Sequence, residues 1–398
     1  MEFAHILLML VVILAAAKLL TDISDRVSQP AVLGELLAGL ILGDSLLRVV
    51  SPQNEILHML AEFGAVLLLF EIGLESDITE LFRVGWRSLW VAVIGVVTPA
   101  VLGFGVSVLL GQPILPAVFI GATLTATSVG ITARVLKDIG ILRWGESQVI
   151  LGAAVADDVI GLLILAVVSG LAQGESLSLW QASKVLGLAL VFLVGALTVG
   201  LKASHFLLRF AVQMRARAAL VTAALVFCFL FAALAQMAGL APIVGAFSAG
   251  LVLARTEHRI RIVERASAIA DMLVPIFFVM MGAQMNLRAI DLATPAGKAV
   301  LSLAGMLIVV AILGKVASGL ALWGTRMRAW LVGVGMVPRG EVGLIFATIG
   351  LQQKVFDVTM YTAILVLVMV TTLITPPWLR ALARRYGARA QHLDENRS

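Results

Sequence analysis

The segment VILGAAVADDVIGLLILAVV, residues 149–168, places two adjacent aspartates, Asp157 and Asp158, inside an otherwise apolar run. The run is about as long as a helix that spans a bilayer, so both carboxylates are predicted to lie near the midplane. A charge at that depth costs about 2.5–3.5 kcal/mol on insertion scales, and intramembrane carboxylates are therefore usually functional. The pair is accordingly the first candidate for a functional site, with a purely structural hydrogen-bonded pair as the alternative.

The composition is that of a polytopic membrane protein. Of the 398 residues, 61% are hydrophobic and only 13% are charged, whereas soluble proteins carry roughly 25% charged residues. The pI near 9.7 fits basic cytoplasmic loops better than nucleic-acid binding. The only cysteine, Cys228, excludes an intrachain disulfide.

Thirteen apolar stretches predict thirteen transmembrane helices and an all-α polytopic fold. They centre within residues 3–20, 30–46, 57–74, 88–110, 114–136, 147–171, 180–201, 218–238, 241–255, 268–286, 297–322, 328–350 and 358–379. Most of the 29 Lys and Arg lie in the C-terminal tail or in the loops after odd-numbered stretches. Because positive loops stay in the cytoplasm, the N-terminus is expected outside and the C-terminus inside.

The chain also contains an internal repeat, in which spans 2–6 correspond to spans 9–13. Three motifs recur in order: Pro30-Ala-Val-Leu-Gly34 as Pro242-Ile-Val-Gly245, Phe70-Glu-Ile-Gly73 as Val279-Met-Met-Gly282, and Thr127-Ser-Val-Gly-Ile131 as Gly340-Glu-Val-Gly-Leu344. Spans 2 and 9 begin on opposite sides of the membrane, so the repeats are predicted to have inverted topology. Inverted repeats with interrupted helices are typical of secondary transporters.

Spans 5 and 12 are the predicted interrupted helices. Residues 123–132 are rich in glycine, β-branched and hydroxyl residues, and residues 333–343 contain Pro338, which removes a backbone donor and clashes with the preceding turn. The two breaks are expected to cross near the midplane, with Thr127, Ser128 and Pro338 at the crossover. Arg339 and Glu341 would then neutralise the facing half-helix ends. The alternative is two kinked helices with a purely stabilising Arg–Glu pair.

Successive residues on a helix differ by about 100°, so Asp157 and Asp158 cannot both face one partner. Lys315, the only lysine deep in a predicted span, is one natural partner, and a Lys–Asp pair there would be a proton-sensitive latch. The other aspartate would face the crossover, where carbonyls and the Thr127 and Ser128 hydroxyls offer oxygens to a hard cation such as Na⁺. Glu35, Glu62 and Glu71 are interpreted as packing or interfacial residues.

These motifs together resemble the NapA-type sodium/proton antiporters of the second monovalent cation:proton antiporter family. The residues that carry the resemblance are the Ala156-Asp157-Asp158 triplet, the break at residues 125–133, Gly314-Lys315 and Pro338-Arg339-Gly340-Glu341-Val-Gly343. The resemblance implies an NhaA-like antiporter fold, a homodimer and electrogenic exchange. It implies that Asp158 is the principal ion ligand and that Asp157 pairs with Lys315. From the positions of the residues, Asp157 and Thr127 are further candidate Na⁺ ligands.

The resemblance also implies a division into domains. Residues 1–82 and 212–290 would form the dimerisation domain, residues 83–172 and 291–385 the ion-transport core, residues 173–211 a linker helix and residues 386–398 a cytoplasmic tail. The chain would be a multi-pass protein of a bacterial inner (plasma) membrane.

The predicted function is exchange of cytoplasmic Na⁺ or Li⁺ for external H⁺ by alternating access, with the ion and protons competing for the aspartate pair. No catalytic residue, cofactor or nucleic-acid partner is predicted. Three alternatives remain: a K⁺/H⁺ antiporter, a sodium-coupled solute symporter and an intramembrane aspartyl protease. The protease is disfavoured because its two aspartates must lie on facing helices and because no Gly-x-Gly-Asp motif occurs.

Overall fold

The computed structural model of the chain describes residues 2–172, 179–214, 216, 218–285 and 295–395. Fifteen α-helices and one 3-10 helix form within these residues, and no strand occurs in them. The helices are α1 Glu2–Arg26, α2 Ala31–Leu42, α3 Glu55–Glu75, α4 Ile78–Leu109, α5 Ile114–Thr123, α6 Val129–Asp138, α7 Gly145–Ala172, α8 Leu179–Gln213, α9 Ala219–Met237, α10 Pro242–Leu253, α11 Arg259–Ala283, α12 Pro295–Val316, the 3-10 helix Ala317–Leu322, α13 Ala329–Gly335, α14 Glu341–Gln352 and α15 Val358–Glu395. The all-α prediction is confirmed.

Nine helices of the described part are long and apolar enough to cross a membrane, and four more are apolar but short. The short ones include α2 and α10, each of 12 residues, which correspond to each other in the predicted repeat. A helix of that length rises only about 18 Å, less than the hydrocarbon thickness of a bilayer. The predicted number of thirteen crossings therefore stays a prediction.

The fifth and twelfth predicted spans each consist of two short helices. Residues 124–128 separate α5 from α6, and residues 336–340 separate α13 from α14. At the end of α5, the hydroxyls of Thr123 and Thr125 donate to the carbonyls of Phe119 and Ala122, at 2.8 and 2.7 Å. Such local bonds compete with helix continuation. In the second break, Pro338 cannot donate to any preceding carbonyl.

Apolar contacts join the helices in sets. One buried cluster holds residues of α1, α2, α3 and α11, such as Ile13 and Val279. A second, which includes Phe227 of α9, joins α3 with α8, α9, α10 and α11. A third, which includes Phe119 of α5, joins α5 with α7, α12, α14 and α15. The largest cluster connects these sets through α6, α7 and α13.

Glycines allow two helix crossings at which backbones touch. Gly39 of α2 meets Gly282 of α11, and Gly73 of α3 meets Gly250 of α10. A Cβ on Gly39 would overlap the carbonyl oxygen of Val279, and one on Gly250 would overlap that of Phe70. Gly39 corresponds to Gly250 and Gly73 to Gly282 at the offset of about 210 residues expected between two repeats. The two crossings therefore occupy equivalent positions of the predicted internal repeat.

The likeness between the two halves extends further than the sequence motifs indicate. A Cβ on Gly34 of α2 would overlap the carbonyl oxygen of Leu20 in α1, and one on Gly245 of α10 would overlap that of Phe231 in α9. Leu20 and Phe231 are separated by the same offset as the two glycines. The contact between α1 and α2 thus has the same form as that between α9 and α10, which is consistent with a repeat that includes spans 1 and 8.

Replacing Gly250 with alanine is expected to destabilise the protein by about 1–3 kcal/mol, because the added methyl would meet backbone atoms of α3 that cannot move independently. Thermal unfolding in detergent micelles measures this effect. The matched control is Gly305→Ala in α12, where no atom lies within 4 Å of the added Cβ. A Gly250→Ala variant as stable as the control would contradict the assigned crossing.

Candidate functional site

The two helix breaks lie against each other. The backbone N–H of Ser128 donates to the carbonyl of Pro338 at 2.8 Å. The Thr132 hydroxyl donates to the carbonyl of Gly335 at 2.7 Å, and the Thr127 hydroxyl to that of Met336 at 3.4 Å. The unwound segments thus satisfy each other's backbone groups, as irregular structure at membrane depth requires. Thr127, Ser128 and Pro338 all lie at this contact, which we call the crossover.

The crossover leaves no space for a side chain at Gly340. A Cβ at this position would lie 2.6 Å from the Ser128 Oγ and 2.7 Å from the Ser128 Cβ. The backbone of Gly340 has φ −148° and ψ −143°. Glycine is required here because of the close approach of the first break.

Arg339 is completely buried, and its guanidinium Nη1 donates to the carbonyl of Ala126, just beyond the end of α5. The carbonyl of Arg339 accepts from the Thr372 hydroxyl of α15 at 2.6 Å. Exposed carbonyls at a helix C-terminus carry partial negative charge, which a cation offsets. The position of Arg339 therefore fits the expected neutralisation of a half-helix end. Helix α14 begins at Glu341, but the side chain of Glu341 lies outside the described residues, so its expected role stays a prediction.

Asp157 forms a buried ion pair with Lys315. The Lys315 Nζ lies 3.1 Å from the Asp157 Oδ1, and the two side chains are 0% and 1% exposed. The other carboxylate oxygen of Asp157, Oδ2, accepts no hydrogen bond from any described residue. Of the two adjacent aspartates, Asp157 is therefore the one that forms the ion pair with Lys315.

Asp158 points in another direction. It lines a void of about 10 Å³ together with Val129, the first residue of α6, and apolar residues of α3, α7 and α10. Asp158 therefore lies beside the beginning of the second half of the broken span 5, whereas Asp157 faces α12. This separation follows from the 100° step between adjacent helical residues.

Gly314, Gly95 and Pro99 lie at the contact between α12 and α4 beside Lys315, and of these only Gly314 belongs to the motifs identified in the sequence. A Cβ on Gly314 would lie 2.7 Å from the Cα of Pro99, so α12 approaches α4 closely at this point. A Cβ on Gly95 would lie 3.7 Å from the Lys315 Nζ. Pro99 lies inside α4, and a proline in a helix interior was the one feature that could have drawn attention to this region.

A cavity of about 880 Å³ opens beside the site, between helices α3, α9 and α11 on one side and α7 and α14 on the other. Its walls are mainly apolar, with His58, Glu62, Gln236 and Gln284 among the few polar side chains. Ile243 of α10 borders both the open cavity and the void beside the Asp158 carboxylate.

Glu35 and Glu71, interpreted from the sequence as packing or interfacial residues, each form an ion pair with a residue of α6. Glu35 pairs with Arg134, with 3.6 Å between Oε1 and Nη2, and Glu71 pairs with Lys137, with 2.6 Å between Oε2 and Nζ. Both glutamate side chains are 3% exposed. The partners lie on different helices, so helical spacing in the sequence does not reveal them. Glu62 lies in a more exposed pair with His58, at 3.5 Å.

Removing one member of the Asp157–Lys315 pair is expected to destabilise the protein by about 3–5 kcal/mol, because the remaining group is left buried without its partner. Asp157→Asn and Lys315→Gln should each show this loss in thermal or denaturant unfolding in micelles, and the double variant should lose less than the two single losses combined. The control is Arg26→Gln, which removes an exposed pair with Asp22 and should change stability by less than about 1 kcal/mol. Additive losses would show that the two groups do not interact.

Comparison with known proteins identifies relatives along nearly the whole chain. Residues 8–385 match the family profile described as "Sodium/hydrogen exchanger, transmembrane". The chain is 39% identical to the high-affinity Na(+)/H(+) antiporter NhaS3 of Synechocystis, over 98% of this chain and 92% of the relative. It is 33% identical to the Na(+)/H(+)-K(+) antiporter GerN of Bacillus cereus, over 96% of each, and 31% identical to a Na(+)/H(+) antiporter of Enterococcus hirae, over 98% and 100%.

The fold is similar to that of a solved antiporter. The sodium proton antiporter MjNhaP1 of Methanocaldococcus jannaschii superposes with a TM-score of 0.71 at 18% sequence identity, over 96% of this chain and 97% of that one. At this identity the likeness concerns the fold alone. Together with the family match and the relatives above 30% identity, it leads to one conclusion: the chain belongs to the transmembrane sodium/hydrogen exchanger family.

Proposed function

We propose that the protein is a Na⁺/H⁺ antiporter whose ion site consists of Asp158, Asp157 and the crossover. The observation that carries the proposal is the pair of adjacent buried aspartates, one held by Lys315 and the other beside the beginning of α6. The relatives named as Na(+)/H(+) antiporters support the choice of ion and the coupling to protons.

The proposed mechanism is competition between Na⁺ and protons for the same carboxylates. Asp158 is the principal Na⁺ ligand, and the oxygens of the crossover, including the Thr127 hydroxyl, complete the coordination. Asp157 joins when Lys315 releases it, with its Oδ2 already free of hydrogen bonds to the described residues. Hard cations are bound by oxygen ligands, and protonation of either carboxylate removes the charge that holds the ion.

Exchange follows from the cost of moving an unpaired charge. A bare carboxylate at the midplane costs about 2.5–3.5 kcal/mol, so only the site that has bound Na⁺ or protons crosses between the two access states. Protons from the external side then drive Na⁺ out of the cytoplasm without ATP. If one net charge moves per cycle, the membrane potential contributes about 2.3 kcal/mol per 100 mV.

The proposal includes an NhaA-like arrangement of thirteen crossings with inverted repeats and an external N-terminus in a bacterial plasma membrane. Helices α1–α3 and α9–α11 form a scaffold through which two copies associate, α8 is the linker, and α4–α7 with α12–α15 form the core. The equivalent glycine crossings support the repeat, and the separate apolar clusters support the division into scaffold and core. The core rocks as a rigid body against the scaffold.

The alternatives have less support. The two aspartates lie on one helix, α7, whereas an aspartyl protease needs them on facing helices. The large cavity has few polar groups, which disfavours recognition of a polar organic solute. The name of GerN includes K⁺ as well as Na⁺, so the ion preference is best measured with Na⁺, Li⁺ and K⁺ in parallel.

Reconstituted protein is expected to collapse a pH gradient when Na⁺ is added, and Asp158→Asn is expected to abolish this flux because the amide cannot exchange a proton for Na⁺. A pH-sensitive dye inside liposomes measures the flux, with Li⁺ and K⁺ in parallel samples. Asp22→Asn, at an exposed position in α1, is the control and should retain full activity. Retained Na⁺-dependent flux in Asp158→Asn would refute the assignment of the site.

Lys315→Gln is expected to change the pH dependence of exchange or the charge moved per cycle, because Asp157 then has no cation to release. Exchange rates between pH 6 and 9 and currents on solid-supported membranes measure the two quantities. Lys202→Gln, on α8 and remote from the site along the chain, is the control. If both quantities stayed at the wild-type values, Lys315 would have no part in the ion cycle.

A further inference from the structure

We propose that the ion pairs joining α6 to helices α2 and α3 form a gate, which separates whenever the ion site opens to the cytoplasm. We call this network the α6 gate: Arg134, Lys137 and Asp138 on α6 with Glu35, Glu71 and Glu75 on the two scaffold helices. The inference rests on the proposed antiport function and adds to it the contacts that hold one access state.

The first half of the gate joins α6 to α2. The Arg134 Nη2 lies 3.6 Å from the Glu35 Oε1, and the Arg134 Nε lies 3.0 Å from the Asp138 Oδ1 on its own helix. The second oxygen of Asp138 accepts from the backbone N–H of Val32 at 3.4 Å. Arg134 thus contacts a side chain of α2, and Asp138 contacts the backbone of the same helix.

The second half joins α6 to α3. The Lys137 Nζ lies 2.6 Å from the Glu71 Oε2 and 3.3 Å from the Glu75 Oε1. Glu71 also accepts a hydrogen bond from the Ser267 hydroxyl of α11. One short helix of the proposed core is therefore tied by charged groups to two helices of the proposed scaffold, and Ser267 links the second of these to α11.

The gate and the cavity lie along the same helix. His58 and Glu62, in the first turns of α3, line the open cavity, whereas Glu71 and Glu75, in its last turns, bind Lys137. With a rise of 1.5 Å per residue, Glu62 and Glu71 are separated by about 13 Å along the helix axis. The boundary between scaffold and core is thus open at one end of α3 and held closed by ion pairs at the other, the end predicted to face the cytoplasm.

A rigid core cannot close the cavity without moving at the other end. If α7 and α14 approach α3 and α9, α6 has to withdraw from α2 and from the end of α3. Because α6 follows Ser128 of the crossover directly, its displacement is transmitted to the ion site. Interfaces of this kind switch between discrete packings rather than deforming continuously.

Charged groups suit this closing role. A buried ion pair contributes little net stability compared with an apolar contact, because the cost of desolvation offsets the attraction. When the gate opens, the separated charges regain water, whereas an apolar seal would expose hydrophobic surface. The gate therefore holds the closed state without making it irreversible.

The test measures accessibility rather than transport. In a Cys228→Ala background, Val32→Cys places the only thiol at a fully buried position beneath the gate. The rate of its reaction with a membrane-impermeant maleimide is measured in inside-out vesicles. We expect Lys137→Gln to raise this rate at least tenfold, and the charge swap Lys137→Glu with Glu71→Lys to return it to within about twofold of the Val32→Cys parent.

Two further variants keep the test decisive. Glu75→Gln removes the more exposed contact of Lys137, since the Glu75 side chain is 27% exposed. Its labelling rate should rise above that of the parent, but by less than the rate of Lys137→Gln. This milder variant still tests the gate if Lys137→Gln fails to fold. Arg83→Gln removes a pair with Glu80 within α4 and should leave the labelling rate unchanged. Equal labelling rates in the parent and both gate variants, or no recovery in the charge swap, would overturn the proposal.

The outcome is separable from the test of the proposed function. Labelling does not require ion transport. A faster labelling of Val32→Cys in the presence of Lys137→Gln would therefore support the gate even if Asp158→Asn retained exchange. In the opposite case, loss of exchange in Asp158→Asn with unchanged labelling in the gate variants would refute the gate alone. In transport assays, Lys137→Gln should raise the KM for external ions at least threefold while the maximal rate stays within about twofold.

Discussion

The cost of charge in an apolar environment is the constraint on which the rest of the structure depends. Asp157 and Lys315 occupy the same buried region, and each makes the other tolerable there. Arg339 is equally buried and donates to the carbonyl of Ala126, in the first of the two breaks. Interior charges are stable only when paired or hydrogen-bonded. Asp157 and Lys315 are therefore compensating partners, and a change at either one alters the environment of the other.

The internal repeat supplies the architecture around these charges. Two equivalent glycine crossings bring α2 onto α11 and α3 onto α10, and two equivalent breaks meet at the crossover. Because the two breaks touch, each unwound segment can form hydrogen bonds with the backbone groups of the other. A single break surrounded by lipid would leave its backbone groups without such partners. The same duplication makes the glycine at position 340 depend on a small side chain at Ser128, more than two hundred residues away.

Much of the fold and part of the site could be predicted from the sequence because the relevant features are local. A long apolar run identifies a spanning helix, a buried lysine requires a carboxylate, and the glycines around Pro338 turn that proline into a helix break. The partners of Glu35 and Glu71 could not be predicted, because both lie on a different helix from their partners and no spacing rule connects them. The likeness between the α1–α2 and α9–α10 contacts was also missed, since it is carried by one backbone contact rather than by a shared motif.

The apolar walls of the large cavity have a thermodynamic consequence for the proposed switch between access states. Closing the cavity removes apolar surface from water, a gain that is largely entropic near room temperature. Separating the α6 ion pairs exposes charges, whose interaction weakens as ionic strength rises. The two ends of the same boundary therefore respond to different solvent properties. Temperature acts mainly through the cavity and salt mainly through the ion pairs, so the balance between states is set by the medium as well as by the transported ions.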